Sequence, residues 1–479
     1  MFRVNSIFAL SYSLCTVFAA AKQQHNSGPT EIIRDVAIVG GGASGTYAAV
    51  RLREDFNKTV VVIEPRPNLG GHANTYNISG TNASIDFGVQ SYNPNNAANG
   101  FFARFGIATE TPMQRKLTPL NVDVETGEVL EDYSLPSVNT TNEAFQRWLA
   151  ITSKYKDYLE PGYWNFPQSS DIPADFLTPF QEFVKRNRLE AAVPRILLIS
   201  GVGYGGVREI LTLTVLRAFG ASLTKDLLTG SLFRPVGNNS ILYKRALDLL
   251  QPDVLLSSTV QNTKQAADGI ELSVKQGNTE YTVKARRVLF TAGPSLRNLA
   301  PFHLDDKSLA VFSDWREGGD FVGVMKAPCL PENSSITYMP KAAALNDPLA
   351  LNDWPYSLRL DSTGPSGLGL YRVVFGANHS ISVDDFKQLV AQSVENLQNA
   401  GTIEDKCETE FKAVSEHTRP WWPQSAERMR TGFVQDMYAL QGYRNMWYTG
   451  YAWAAPYSST VWAFTDTVLE RLLADFTRQ

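Results

Sequence analysis

Between Asp35 and Tyr76 the chain runs through a short apolar stretch, a glycine turn, a small-residue helix and a second apolar stretch ending in an acid. That order constrains the fold more than any other feature. Val36 to Val39 reads as a buried strand, and Gly40, Gly41, Gly42, Ala43, Ser44 and Gly45 supply a G-x-G-x-x-G turn, with Thr46 to Asp55 as the helix behind it. Gly40 permits the tight turn, Gly42 allows close approach of a pyrophosphate, and Gly45 lets helix and strand pack. The pyrophosphate would then sit at the positive end of the helix. Val60 to Ile63 reads as the second strand, and Glu64 follows Gly45 by 19 residues, close to the ~20 at which an acid meets the ribose hydroxyls. These elements in this order predict a dinucleotide-binding fold.

The residues after Glu64 narrow the cofactor. Pro65, Arg66, Pro67, Asn68, Leu69, Gly70, Gly71 and His72 resemble the second cofactor segment of the flavin amine oxidases, which implies FAD held by Arg66, Gly70 and Gly71. At position 72 those enzymes usually carry Arg. The run Gly70-Gly71-His72-Ala73-Asn74-Thr75-Tyr76 instead resembles the fungal beta-cyclopiazonate dehydrogenase family and the related FAD-containing polyunsaturated fatty acid isomerases. The resemblance implies an α/β fold, a Rossmann-like FAD-binding domain interleaved with an α+β substrate domain.

A chain of 479 residues that is 43% hydrophobic can bury the cores such an arrangement needs. Net charge is −4 and no basic run occurs, so nucleic acid and acidic membrane surfaces are poor partners. Arg3, the apolar run Ile7 to Phe18 and Ala19-Ala20-Ala21 read as a secretory leader over 1–21. The run is shorter than the ~20 residues of a spanning helix, and no later run is long enough to span. Sequons at Asn57, Asn77, Asn82, Asn139, Asn238, Asn333 and Asn378 fit a secreted or lumenal, N-glycosylated protein. Cys329 and Cys407 could pair in an oxidising compartment or remain free thiols.

We expect FAD-binding parts at 31–105, 231–300 and 431–479, and substrate-domain parts at 106–230 and 301–430. Strands are expected at Ser84 to Val89, Val254 to Val260, Gly269 to Val274, Glu280 to Val283, Arg287 to Thr291, Phe321 to Lys326, Gly369 to Phe375 and Met446 to Thr449. Helices are expected at Glu143 to Tyr158, Thr178 to Asn187, Val207 to Phe219, Val383 to Ala400 and Ser458 to Phe476. A second glycine cluster, Gly201, Gly203, Gly205 and Gly206 around Tyr204, lacks the strand, helix and acid of a second dinucleotide site. It reads as a turn with Tyr204 beside the substrate cavity.

By the same resemblance, Val260 would meet the adenine through its backbone, and Ile85-Asp86-Phe87-Gly88 would pass the flavin. Gly450 would lie beside the flavin, and the helix end at Ser459, Thr460 and Val461 would face the charge a reduced flavin carries. Tyr451 stands where amine oxidases often hold an acid. His72 could hydrogen-bond the cofactor, tune it, take a proton or tether it. Lys326 could take the part of the lysine that amine oxidases keep near the flavin N(5), though an exposed strand-end lysine is the plainer reading. Tyr451 and Trp453 are the best-placed cavity aromatics, beside Tyr163, Trp164, Trp421, Trp422, Trp447 and Tyr448.

No H-E-x-x-H or C-x-x-C spacing supports a metal. The implied chemistry is hydride removal by FAD from an allylic, benzylic or amine carbon of a small apolar secondary metabolite, a terpenoid, alkaloid or polyketide hybrid, with oxidative ring closure. Dioxygen is a candidate electron acceptor. Two alternatives are a polyunsaturated fatty acid double-bond isomerase using FAD and a secreted flavoprotein without turnover.

Overall fold

The computed structural model describes residues 29–113, 115–404, 406 and 408–477. The expected leader, Cys15 within it and Cys407 lie outside these residues; Cys329 is disulfide-bonded.

Two sheets organise the chain. The first orders Val254–Leu255, Val60–Ile63, Thr30–Val39, Thr279–Phe290, Gly269–Gln276 and Ser258–Ala266, and Met446–Tyr448 also pairs with Thr279–Phe290. Thr30–Val39 runs parallel to both of its neighbours, while Val254–Leu255 and Met446–Tyr448 extend the parallel set outward. Chain order therefore reverses across Thr30–Val39, and the crevice beyond its carboxyl end is where such a sheet receives a ligand. Val36, Ala37, Ile38 and Val60 to Ile63 are buried on both faces, as an apolar run inside a parallel sheet must be. Helix Ala43–Val50 follows the glycine turn and widens into a π-turn over Arg51–Asp55.

The second sheet orders Glu410–Glu416, Gly319–Lys326, Leu370–Ala377, Tyr356–Thr363, Ser334–Met339 and Thr118–Asp123. Only its last pairing is parallel. Helix Val383–Asn399 begins at Ser382, whose side chain accepts from Asp385 N. Its Phe386, Val390, Val394 and Leu397 recur at helical spacing and share one core with Phe321 and Phe375 of the sheet. Phe321 and Phe386 stack at 4.7 Å.

Several boundaries differ from the expected ones. The separate strands Glu280 to Val283 and Arg287 to Thr291 are one strand, Thr279–Phe290. Arg287 hid this continuity: it is 1% exposed because its Nε donates to Asp475 at 2.6 Å and its guanidinium lies over Phe476. Conversely, Val254 to Val260 divides into Val254–Leu255 and Ser258–Ala266, with Ser257 at φ +50° between them. The strand at Ser84 stops at Asp86. The helix expected from Val207 spans only Thr212–Ala218, because Val207 to Ile210 form turns whose carbonyls accept from Phe180 N (Ile210 O) and Gln181 N (Arg208 O), and Leu211 is extended. The helix from Glu143 is Val138–Thr152, followed by shorter turns.

Candidate active site

The cofactor end is built mostly from backbone. Gly40 takes φ +108°, and a Cβ on Gly45 would fall 1.9 Å from Gly40 O, so helix and strand meet here without side chains between them. The second glycine pair closes on this turn: a Cβ on Gly71 would stand 2.9 Å from the Gly42 Cα, and Gly70 N donates to Gly41 O. Glu64 is 5% exposed. Its carboxylate accepts from Gly41 N at 2.6 Å and Arg66 N at 2.9 Å. Burial raises its pKa and the two donors oppose the rise. Each carboxylate oxygen keeps a lone pair for a hydroxyl. The Arg66 guanidinium donates to Gly71 O at 2.8 Å and to Glu416 O at 3.0 Å, joining the glycine pair to the edge of the second sheet.

Two helices begin here without side-chain caps, Ala43–Val50 and Ser458–Phe476. Their first turns are drawn together by Trp462 Nε1, which donates to Ala43 O at 2.9 Å. Uncapped first turns leave N–H donors for a ligand. Thr460 is half-buried and Val461 buried in the second helix's first turn, beside Ser459, whose buried Oγ has no hydrogen-bond partner among the described residues. At Gly450, φ +119°, a Cβ would stand 3.3 Å from Thr291 O and 3.5 Å from Ser44 Oγ. Val260 is half-buried opposite Val274, just after Ser258, whose N–H bonds to Glu64 O.

A ladder of rings leads from this cradle to a cavity. His72 stacks on His417 at 4.2 Å and faces Tyr451 at 6.1 Å. The backbone of Gly88 permits the contact, since a Cβ there would lie 2.0 Å from His72 O and 3.1 Å from the His417 ring. Burial, with Arg419 and Arg66 nearby, pushes His72 down to about 3, and burial likewise pushes His417 well below the usual histidine range. Both imidazoles are neutral at pH 7. Beyond Tyr451 the cavity is walled by Val202, Ile210, Ala218, Ala377, Pro420, Trp421, Ala452, Ala454 and Pro456. Tyr204 faces it, pushed up to about 12 chiefly by burial. The positive φ of Gly201, Gly203, Gly205 and Gly206 turns the chain around this tyrosine.

Several candidate residues lie elsewhere. Lys326 is exposed and ends the strand whose second residue, Asp320, reaches the cavity. Six residues of strand put it roughly 20 Å away, which removes it from the site. Trp453 is fully buried behind the wall, stacked on Tyr448 at 5.0 Å and edge-on to Phe312, so it supports the site through packing. Trp164, Trp447 and Tyr448 do not line the cavity either. The residues that sequence reading passed over are Asp320, His417, Arg419 and Arg217. Arg419 stood within Arg-Pro-Trp-Trp-Pro, where only the tryptophans drew notice. Asp320 is a half-buried acid at the start of an otherwise apolar strand, with Arg419 Nε at 3.3 Å.

The profile of the NAD(P)-binding Rossmann-like domain matches residues 38–105. Over 475 residues the chain is 30% identical to beta-cyclopiazonate dehydrogenase of Aspergillus flavus, covering 98% of this chain and 99% of that one. The chain belongs to the beta-cyclopiazonate dehydrogenase family of FAD-dependent oxidoreductases. A second family member, the FAD-dependent oxidoreductase dbaF of Emericella nidulans, is 31% identical over 98% of each chain. Among solved structures, a CLA-producing fatty acid isomerase from P. acnes superposes with a TM-score of 0.69 at 17% identity, over 91% of this chain and 98% of that one. Putrescine oxidase bound to putrescine gives 0.61 at 18% identity, over 93% and 100%. These two establish the shared flavin amine oxidase-like fold.

The cofactor of this family member is FAD, and the cradle fits it. Gly42 and Gly71 leave room that any Cβ would fill, two uncapped helix starts offer donors for phosphate and flavin, and Glu64 holds free lone pairs for the ribose.

Proposed function

We propose that this family member oxidises a small, largely apolar secondary metabolite at an allylic, benzylic or amine carbon, and that the oxidised carbon is captured by an internal nucleophile to close a ring. The observation that carries this reading is the apolar cavity ending at Tyr451, one ring away from the His72–His417 stack beside the glycine cradle. When bound, FAD supplies the hydride acceptor. The remaining work falls to the chain. Trp421, Pro420, Ile210 and Ala218 would hold the substrate body and exclude water. Tyr451, whose pKa burial raises, stays a neutral phenol between cavity and cradle. His417 is fixed by Asn74 Oδ1 at 2.8 Å, and with His72 it would form an uncharged wall beside the cofactor rather than a proton store.

Secretion and N-glycosylation belong to the same reading, supported by the apolar run at 7–18 and the exposure of the Asn77, Asn82 and Asn139 sequons. Dioxygen is its candidate electron acceptor. The test is anaerobic titration of the purified FAD-loaded protein with unsaturated terpenoid and alkaloid metabolites while flavin absorbance is followed. Bleaching by one class, with a product lighter by two hydrogens, is the expected result. Conjugated-diene absorbance from a polyunsaturated fatty acid without net bleaching would replace it with double-bond isomerisation. FAD retained but never reduced, with no diene formed, would leave a binding role.

A further inference from the structure

The cavity wall carries an unbalanced charge. Of the residues facing it, Arg217 and Arg419 are cationic and Asp320 alone is anionic. Asp320 is committed to Arg419 through the Nε contact, and burial raises its pKa against the pull of that arginine. Arg419 keeps 31% of its side-chain surface although it lies deep in the protein, so that surface belongs to the cavity.

Arg217 makes no ion pair among the described residues. Its guanidinium carbon lies over Trp422, 3.4 Å from the ring centre, and its Nε donates to Tyr163 OH at 3.0 Å. Stack and Nε bond fix the plane of the group, while its two Nη atoms have no acceptor among the described residues. A cation held this way in an apolar wall is poorly solvated and gains from a counter-ion. A planar fork with free parallel N–H groups matches two oxygens of one anionic group. Stacked and held at Nε, it is also pre-organised, so little freedom is lost when it binds.

We propose that Arg217, assisted by the outer nitrogens of Arg419, recognises a carboxylate or similar planar anionic oxygen group on the substrate, so that this enzyme selects acidic metabolites with an apolar body. This rests on reading the cavity as the substrate site. Ile210, Ala218 and Trp421 would take the apolar body and the two arginines the acid.

The test is calorimetric titration of the FAD-loaded protein at low salt with naphthalene-2-acetate and its uncharged partner, naphthalene-2-acetamide. The acid is expected to bind at least ~10-fold more tightly, the usual gain from a charge-assisted pair. Arg217→Gln should weaken the acid by ~10- to 100-fold and the amide by less than about threefold, and Arg217→Lys should keep part of the preference. Flavin content and near-ultraviolet dichroism report whether the variants are folded. The acid-to-amide ratio on the unaltered protein needs no variant. Equal binding of the two probes, or binding of neither, by protein that holds FAD overturns this proposal while leaving the oxidoreductase reading in place. A preference undiminished in folded Arg217→Gln overturns the assignment to Arg217. Protein that holds no FAD overturns the functional reading, whatever the ratio.

Discussion

The nucleotide cradle and the cavity adjoin each other but are made in different ways. The cradle uses backbone: Gly40, Gly42, Gly45, Gly70 and Gly71 leave space, and Glu64 is held by two main-chain N–H groups. The cavity uses side chains from distant stretches, with Tyr204, Arg217, Asp320, Arg419 and Tyr451 meeting across more than two hundred residues of sequence. A backbone site tolerates almost no substitution and fixes one cofactor, whereas a side-chain site can be respecified one wall at a time. That division fits a family sharing FAD at about 30% identity.

The largest expected effect contrasts a glycine from each region. Gly45→Val would place a Cβ 1.9 Å from Gly40 O and 2.7 Å from Thr291 Oγ1, and should abolish FAD retention and cost about 3 kcal/mol. Gly206→Ala faces open space but sits at φ +129°. It should cost only about 1–2 kcal/mol and leave FAD content unchanged. Equal effects in denaturant unfolding and flavin absorbance would erase the contrast.

A middle-sized effect comes from the junction. His72 and His417 are neutral when folded, so the unfolded chain takes up protons first as pH falls. Their contribution is fully present above the unfolded value of 6.5 and is lost as pH falls through the depressed folded values, about 3 for His72, with a slope approaching ~1.4 kcal/mol per pH unit for each imidazole. Urea unfolding at pH 7, 6, 5 and 4 should show this slope, and His417→Asn should flatten it. A slope that His417→Asn leaves untouched would place the pH response elsewhere.

The smallest effect is expected at Lys326. Lys326→Met should change stability by no more than about 0.5 kcal/mol and leave the rate of flavin reoxidation by dioxygen unaltered in stopped-flow measurements. A slowed reoxidation would return this lysine to the site.

The same division explains what could be read in advance. The cradle was legible because its determinants are local: strand, turn, helix and Glu64 follow at fixed offsets, and each offset has a steric or electrostatic cause. The parallel strands were legible as apolar runs, except where buried Arg287 interrupted one. Four strands of the second sheet, at Thr118, Ser334, Tyr356 and Glu410, went unread because they carry no continuous apolar run of the kind that marked the parallel strands. Arg217 and Arg419 gave no signal, since their meeting is a product of topology rather than spacing. Tyr204 and Tyr451 were legible beside conspicuous glycines. Trp453 had the same neighbour but points into the packing behind the wall.

The position of Met446–Tyr448 beside Val288–Phe290 has a consequence for how the protein is made. The ribosome delivers the first strand, the glycine turn and Glu64 early, yet Gly450 and the helix whose Trp462 bonds to Ala43 come nearly four hundred residues later. A growing chain therefore carries a cradle lacking one wall for most of its synthesis, and an open sheet edge at Val288–Phe290 from the time that strand is made until Met446–Tyr448 follows. Such an edge is a template for wrong pairing, and it is protected only once the closing strand and helix have emerged.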